Sequence, residues 1–410
     1  VSPTEGRPPP DSGAGAHPEG GGVGPVGGWP PVAPAGGSSW VIVAKATPDV
    51  STSRCGQLPA PAAACGGLTA GAWCCRQSPG MSVSDHTACL AVRSVDDLVG
   101  LVPYLIGFHP EESLVVMLLQ ERRVVVTARV DLVAVTGEGA LDLLLGRLFS
   151  RFPQAEGWFF AYTDDEALAW DVLAACVEFV GFARLGRVMQ VGSGQWRADR
   201  PDGPVGALTG TVSPTAVEAA VLGLPARASR RDLAAVTAGP PGEEVDALVE
   251  QFETASAELE ELGGRGRKRL LRTLLRASGR IPVEDCVRLA LLAERTEGQL
   301  AVLRGLARPN AEQQLALWAT VVRHCPDGRR PVALGLLGMA AWQTGDGALQ
   351  VVCLEELDRI DPSAPIGALL EWLNQNVVPP EDWHALREAL LEALATELTT
   401  AGRPGNRQGR

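Results

Sequence analysis

Apolar and polar positions alternate with two different periods along this chain, and the patterned part opens at residues 94–132. Ser94-Val-Asp-Asp97 has the form of a helix start, a hydroxyl N-cap with a carboxylate three residues on. Val95, Leu98, Val99 and Val102 then recur at helical spacing. Pro103 lacks an N–H and its ring crowds the preceding turn, so the pattern predicts a kink or an end there. Gly107 and Pro110 bracket a turn. Leu114 to Leu119 is apolar on both faces, as in a strand covered on both sides. Residues 124–131 alternate, with Val124, Val126, Ala128 and Val130 on one side and Val125, Thr127, Arg129 and Asp131 on the other. Only Gln120 to Arg123 separates the two strands, which predicts an antiparallel hairpin.

The pattern continues with a helix over 138–152 that ends before Pro153 and a buried strand over 158–164. A helix over 165–181 carries acidic residues at its start and Gly181 past its end. A second hairpin, 184–191 with 195–198, turns at Gly192-Ser-Gly194. The order β-β-α-β-α-β-β predicts an α/β domain, a mixed sheet flanked by helices. Short helices over 213–222 and 229–237 lead to Gly239-Pro-Pro-Gly242, a linker, and from 243 onward the period is helical throughout. Residues 331–342 are apolar almost all round, which predicts a central helix, and Trp383, Leu386, Leu390, Leu394 and Leu398 form one stripe of a last helix. Leu337-Gly338, Gly345-Asp346 and Asp361-Pro362 are spaced as in a tetratricopeptide repeat, although Ala341 stands where that repeat has an aromatic. The second part is therefore expected to be an α-helical, tetratricopeptide-like domain.

Residues 1–80 have neither period; they are rich in Gly and Pro and carry no amphipathic face beyond a possible short strand within 38–46. They are expected to be disordered or untranslated, with Met81, the first methionine, as the start. The expected organisation is 81–222 for the α/β domain, 223–242 for a linker, 243–400 for the helical domain and 401–410 for a disordered tail. A formal net charge of −12 argues against a general nucleic-acid or anionic-membrane binder. No run reaches the roughly 18 apolar residues of a membrane span. The cysteines are scattered without a CxxC pair, which points to free thiols in a reducing, cytoplasmic compartment and to no metal or other cofactor.

Gly107-Phe-His-Pro110 followed by Glu-Ser-Leu-Val, the run Ala-Arg-Val-Asp-Leu132, and Gly194-Gln-Trp-Arg197 carry a resemblance. They are similar to the uncharacterised, mainly actinobacterial proteins grouped as domain of unknown function 4192, over about residues 90–395. The resemblance implies no activity. It does imply a Cys- and Pro-rich stretch after the Trp, which is absent here, since Ala198-Asp-Arg-Pro-Asp-Gly203 has no Cys.

Candidate chemistry centres on the loop. His109, Ser113 and Asp131 offer a base, a nucleophile and a carboxylate, but Ser113 lacks a nucleophile elbow and starts a strand. Gly107, Phe108, His109, Pro110, Ser113, Arg129, Asp131 and Trp196 are the ligand-binding candidates, with Arg129 and Asp131 expected to pair. No phosphate loop, GxGxxG after a strand or HExxH occurs. Residues 243–262 hold eight carboxylates and no cation, and Arg265, Arg267, Lys268, Arg269 and Arg272 follow. That cluster is either an anion site or, as expected here, a basic helix packed on the acidic one or a solvated face. The leading expectation is a non-catalytic protein-interaction or regulatory module with a partner on the helical domain. The alternative is an enzyme or small-molecule binder at the Gly107–Pro110 loop.

Overall fold

The computed structural model describes residues 40–43, 50–52, 90–92, 94–121, 123–208, 214–221, 226–227, 229–277, 279 and 281–401. The expected start at Met81 and the tail beyond Ala401 lie outside them. The first part runs β1 (Trp40–Val43), β2 (Val50–Thr52), β3 (Leu90–Val92), α1 (Val95–Ile106), β4 (Ser113–Gln120), β5 (Arg123–Asp131) and α2 (Leu132–Val135). It continues with α3 (Ala140–Arg151), β6 (Glu156–Tyr162), α4 (Glu166–Val180), β7 (Leu185–Gly192), β8 (Gln195–Ala198) and β9 (Val205–Ala207). The strand within 38–46 is β1, which pairs antiparallel with β5.

Local chemistry accounts for α1. Ser94 Oγ accepts the Asp97 N–H at 3.0 Å, and the helix ends where Gly107 turns left-handed at φ 89° and donates to the Pro103 carbonyl at 2.8 Å. The helix does not end at Pro103. That residue costs one hydrogen bond, while Leu101, Val102, Leu105 and Ile106 around it are buried and hold the last turn in place.

The sheet is mixed, in the order β5-β4-β6-β7-β8-β9, with β2 and β3 continuing past β5. Only β6/β7 is parallel among its six main strands, and α4 supplies the crossover that a parallel pair needs. In the β7–β8 turn Ser193 and Gly194 both have positive φ, 48° and 72°, the geometry that matches strand twist in a two-residue hairpin. The β4–β5 register corrects the predicted alternation. A bulge opposite Leu118/Leu119 shifts it, so Val124 packs on the opposite face from Val126, Ala128 and Val130.

The two sheet faces meet different neighbours. Leu114, Val116, Leu118, Val126, Ala128, Phe159 and Ala161 pack on α3 and α4. Val115, Met117, Leu119, Trp158, Phe160 and Met189 face α1, and their core continues without a break into the helical region. That region comprises α5 (Pro214–Val221), α6 (Arg230–Thr237), α7 (Gly242–Glu261), α8 (Gly263–Leu274), α9 (Val283–Glu294) and α10 (Thr296–Gly305). It ends with α11 (Ala311–Arg323), α12 (Pro331–Thr344), α13 (Gly347–Ile360), α14 (Pro365–Gln375) and α15 (Trp383–Ala401). As its composition predicts, α12 is central, with every residue from Ala333 to Gln343 buried. Trp342 and Trp383 meet edge-to-face at 5.7 Å, and their indole N–H groups donate to the Val378 and Leu306 carbonyls. Among the described residues no helix is long and apolar enough to cross a membrane, and no cluster of His, Cys, Asp or Glu has the form of a metal site.

Cys176, Cys286, Cys325 and Cys353 are buried free thiols. Burial raises all four pKa values; Cys286, with the Asp285 and Glu284 carboxylates adding to the effect, is pushed up to about 11. Thiolate is the reactive form, so iodoacetamide at pH 8 should leave these four unmodified in the native protein and label all four in denaturant. Peptide mass mapping reads this directly, and native labelling of Cys286 would show that α9 opens.

Candidate functional site

The loop after α1 is pinned from both sides. The Arg227 N–H donates to the Gly107 carbonyl at 2.9 Å, and the His109 N–H donates to the Arg227 carbonyl at 3.1 Å. On the other side Glu112 holds a left-handed φ of 42°. Its carbonyl accepts the Leu132 N–H at 2.9 Å, and its carboxylate accepts from the Thr163 hydroxyl at 2.9 Å. The loop therefore joins the ends of β4, β5 and β6 to the segment that enters α6.

Ser113 opens β4, directly opposite Asp131 on β5 and Tyr162 on β6. Its hydroxyl donates to the Glu111 carbonyl and accepts from Arg129 Nε at 2.8 Å. Arg129 is only 5% exposed; its Nη2 lies 2.6 Å from the Asp131 carboxylate and donates to the Glu111 carbonyl at 3.4 Å. The guanidinium stacks 5.7 Å from the centre of the Phe108 ring. Burial pulls the Arg129 pKa below its ordinary value, Asp131 pulls it back, and the neighbouring Arg230 lowers it again. The expected Arg129–Asp131 pair thus exists, and Ser113 is the third member of its network.

His109 is outside that network, with its side chain exposed. Ser113's proton is engaged by a carbonyl and Asp131 by an arginine, so the three residues do not form a base–nucleophile–carboxylate relay. Trp196 is elsewhere. Its indole donates to Asp96 at 2.7 Å at the start of α1, and ten helical residues place that contact about 15 Å from the Gly107 turn. Gly206 opposite it is obligatory, because a Cβ there would lie 2.4 Å from the Trp196 ring.

The residues that complete the loop's surroundings come from far along the chain. Arg227 faces Asp346 at 3.6 Å, and Arg230 pairs with Glu355 of α13. Arg129 Nη1 and Arg230 Nε are buried without a hydrogen-bond acceptor among the described residues, while Arg227 Nη1 is the atom that faces Asp346. Asp346 had a visible signal, the Gly-Asp turn of the repeat-like segment; Arg227 and Arg230 had none.

A second surface is built on α8. Leu271 and Leu274 are buried, while Arg265, Lys268, Arg269, Arg272 and Arg276 are exposed at helical spacing along one stripe. Of the two expected arrangements, the stripe is the solvated face and not a basic helix neutralised by the acidic α7. In α7, Leu248, Phe252, Ala255 and Leu259 are buried, and Glu258 and Glu260 pair with Arg288 and Arg295, leaving Arg267 as the α8 cation that α7 reaches. Leu262 ends α7 and Gly263 restarts the chain at φ 60°, a left-handed turn that breaks the helix between the acidic and the basic stretch. Lys268 pairs with Glu297; Arg265, Arg269, Arg272 and Arg276 have no carboxylate partner among the described residues.

Beside the stripe lies an open groove of about 480 Å³ between α8, the end of α9 and α10. Leu271, Leu275, Leu292 and Ala301 line it, with Lys268, Arg272 and Arg295 among its polar groups.

The chain belongs to the family described as domain of unknown function (DUF4192), whose model matches residues 96–381 and so spans both the sheet and the helical region. Neither the curated proteins nor the solved structures include a match.

Proposed function

For a member of a family without an assigned activity, we propose a non-catalytic protein-interaction or regulatory module whose contact surface is the helical region. One observation carries the reading: Arg265, Arg269 and Arg272 on α8 and Arg276 just past its end are exposed and have no carboxylate partner among the described residues, in a chain of net charge −12. Such a stripe gains little for the fold, and exposed cations on an acidic protein favour an acidic partner by steering and complementarity. The engagement of Ser113 and Asp131 by non-catalytic groups agrees with it. The α12–α13 hairpin is read as tetratricopeptide-like, and residues 81–222 and 243–400 as the two parts. The scattered thiols favour the cytoplasm, and the resemblance an actinobacterial source.

A second reading is favoured by Arg129 Nη1 and Arg230 Nε, two buried arginine N–H groups with no acceptor among the described residues near the Gly107–Pro110 loop, which fit a small acceptor-bearing ligand.

Native mass measurement on the full chain isolated from its source cells tests both. The expected result is a stoichiometric complex that falls to the free chain when Arg265, Arg269, Arg272 and Arg276 are changed to Glu with the circular dichroism unchanged. A free chain in both forms overturns the module reading. A small-molecule adduct that survives those changes and is lost on Arg129→Met moves the assignment to the loop.

A further inference from the structure

The groove beside α8 has a definite chemistry. Its floor is apolar, formed by Leu271 and Leu275 of α8 and its end, Leu292 of α9 and Ala301 of α10. It is closed below by the tight α9–α10 corner, where Gly298 packs so near the Leu292 carbonyl that a Cβ would lie 1.8 Å from it. Its rim carries cations, Arg267, Lys268 and Arg272 on the α8 side and Arg295 on the other, where Arg295 is paired with Glu260 of α7 and Arg272 has no carboxylate partner among the described residues. Glu297 opposes them as the carboxylate of the lining, and it is bound to Lys268 at 3.4 Å. Beyond the rim Arg265 and Arg269 on α8 and Arg276 just past its end, without a carboxylate partner among the described residues, extend the positive charge. Arg265 to Arg272 spans about 10 Å, two turns of helix, and Arg276 lies in the turn that follows α8.

Resting on the module reading above, we infer that this groove docks an acidic amphipathic helix of a partner protein, about three turns long. The partner's apolar anchors, at i, i+3/i+4 and i+7, sit over Leu271, Leu275 and Leu292, and its flanking Asp or Glu side chains face the α8 arginines. Charge complementarity selects this occupant. A polynucleotide would use the cations and leave the apolar floor exposed. A second copy of this chain has its own acidic helix, α7, occupied: Leu248, Phe252 and Leu259 of that helix are already buried within the fold. Helix-in-groove recognition needs both halves, apolar anchors for affinity and charges for orientation and partner choice.

The test uses the full chain and two fluorescein-labelled 16-residue peptides of identical Leu and Glu content. One is arranged as an amphipathic helix and the other is scrambled. Fluorescence anisotropy at low salt should show saturable binding of the helical peptide with Kd below about 100 µM, at least tenfold tighter than the scrambled one, and weakening as salt rises. Ala301→Trp fills the groove without touching a charge, and should weaken the helical peptide at least tenfold while leaving retention of a single-stranded oligonucleotide unchanged. Lys268→Glu with Arg272→Glu should weaken both.

Equal binding of the two peptides, or indifference to Ala301→Trp, would overturn the groove and leave a general polyanion patch. Absence of binding to either peptide, or a concentration-dependent dimer that Ala301→Trp abolishes, would overturn the acidic-helix occupant. The module reading fails separately: it falls if the native complex is insensitive to reversal of the α8 arginines, whatever these peptides do.

Discussion

Asp131→Ala is expected to destabilise the fold by about 2–3 kcal/mol, although Asp131 itself is 42% exposed. The loss lies with its partner. Arg129 is 5% exposed, and burial already disfavours its charged form; Asp131 is the main group that offsets this. Removing one member of a buried ion pair typically costs about 3–5 kcal/mol because the remaining charge stays desolvated. Two features bring the figure down: solvent already screens the pair through the exposed carboxylate, and the Glu111 carbonyl still accepts from Arg129 Nη2. Urea unfolding of the full chain measures the loss. The decisive comparison is the double variant Arg129→Met with Asp131→Ala, which should be more stable than Asp131→Ala alone. Met keeps an unbranched side chain against Phe108 but has no charge to strand, and the Ser113 hydroxyl retains the Glu111 carbonyl. If the double variant is the weaker, then the shape of the arginine rather than its charge is what the loop needs.

This network also marks how far sequence reasoning reaches. The hairpin β4–β5 was legible because its two apolar runs are complete and only Gln120 to Arg123 separates them; in the structure Gln120 and Arg123 already pair, so the turn is two residues. The pairing of Arg129 with Asp131 was legible because a period of two places i and i+2 on one face. The bulge that moves Val124 to the other face was not, since Val124, Val125 and Val126 are the same residue and carry no mark of the shift. Arg227 was hidden for another reason. It meets the Gly107 loop through backbone atoms, and a backbone hydrogen bond between segments 120 residues apart leaves no pattern in side-chain types.

The two surfaces differ in the same way. The basic run from Arg265 to Arg272 is visible in the sequence, but Arg276 was not read as part of it, and which cations the acidic α7 reaches depended on the helix break at Gly263, which composition does not encode. The groove is a further step removed. Leu292 and Ala301 become a floor only because Gly298 lets α9 and α10 approach closely, and no local signal in their neighbourhood distinguishes them from ordinary core positions.

Close approach has its strongest consequence in α12, where Gly335→Ala should destabilise the protein by about 1–2 kcal/mol. In an exposed helix the same change gains about 1 kcal/mol, because alanine is the better helix former. Here the sign reverses. A Cβ on Gly335 would lie 2.3 Å from Ile366 Cγ2 and 2.8 Å from two further Ile366 carbons. Ile366 is 1% exposed and β-branched, so it has no alternative rotamer into open space, and α12 and α14 must separate. Gly338, one turn on, allows the same approach, with Leu370 Cδ1 2.8 Å from its would-be Cβ. Gly335→Val should therefore exceed the alanine loss and reach about 3 kcal/mol. Trimming the obstacle should reverse the trend. Ile366→Ala alone leaves a cavity and costs about 2–5 kcal/mol, but combined with Gly335→Ala the total should fall short of the sum by about 1 kcal/mol or more, because the new methyl occupies space that the isoleucine vacated. Additive losses would mean that α14 shifts rather than clashes, and that the α12–α14 contact is softer than its separation implies. The glycines in α12 are thus a packing device: they let the most apolar helix of the chain approach α14 closely enough for Ile366 and Leu370 to seat against its backbone.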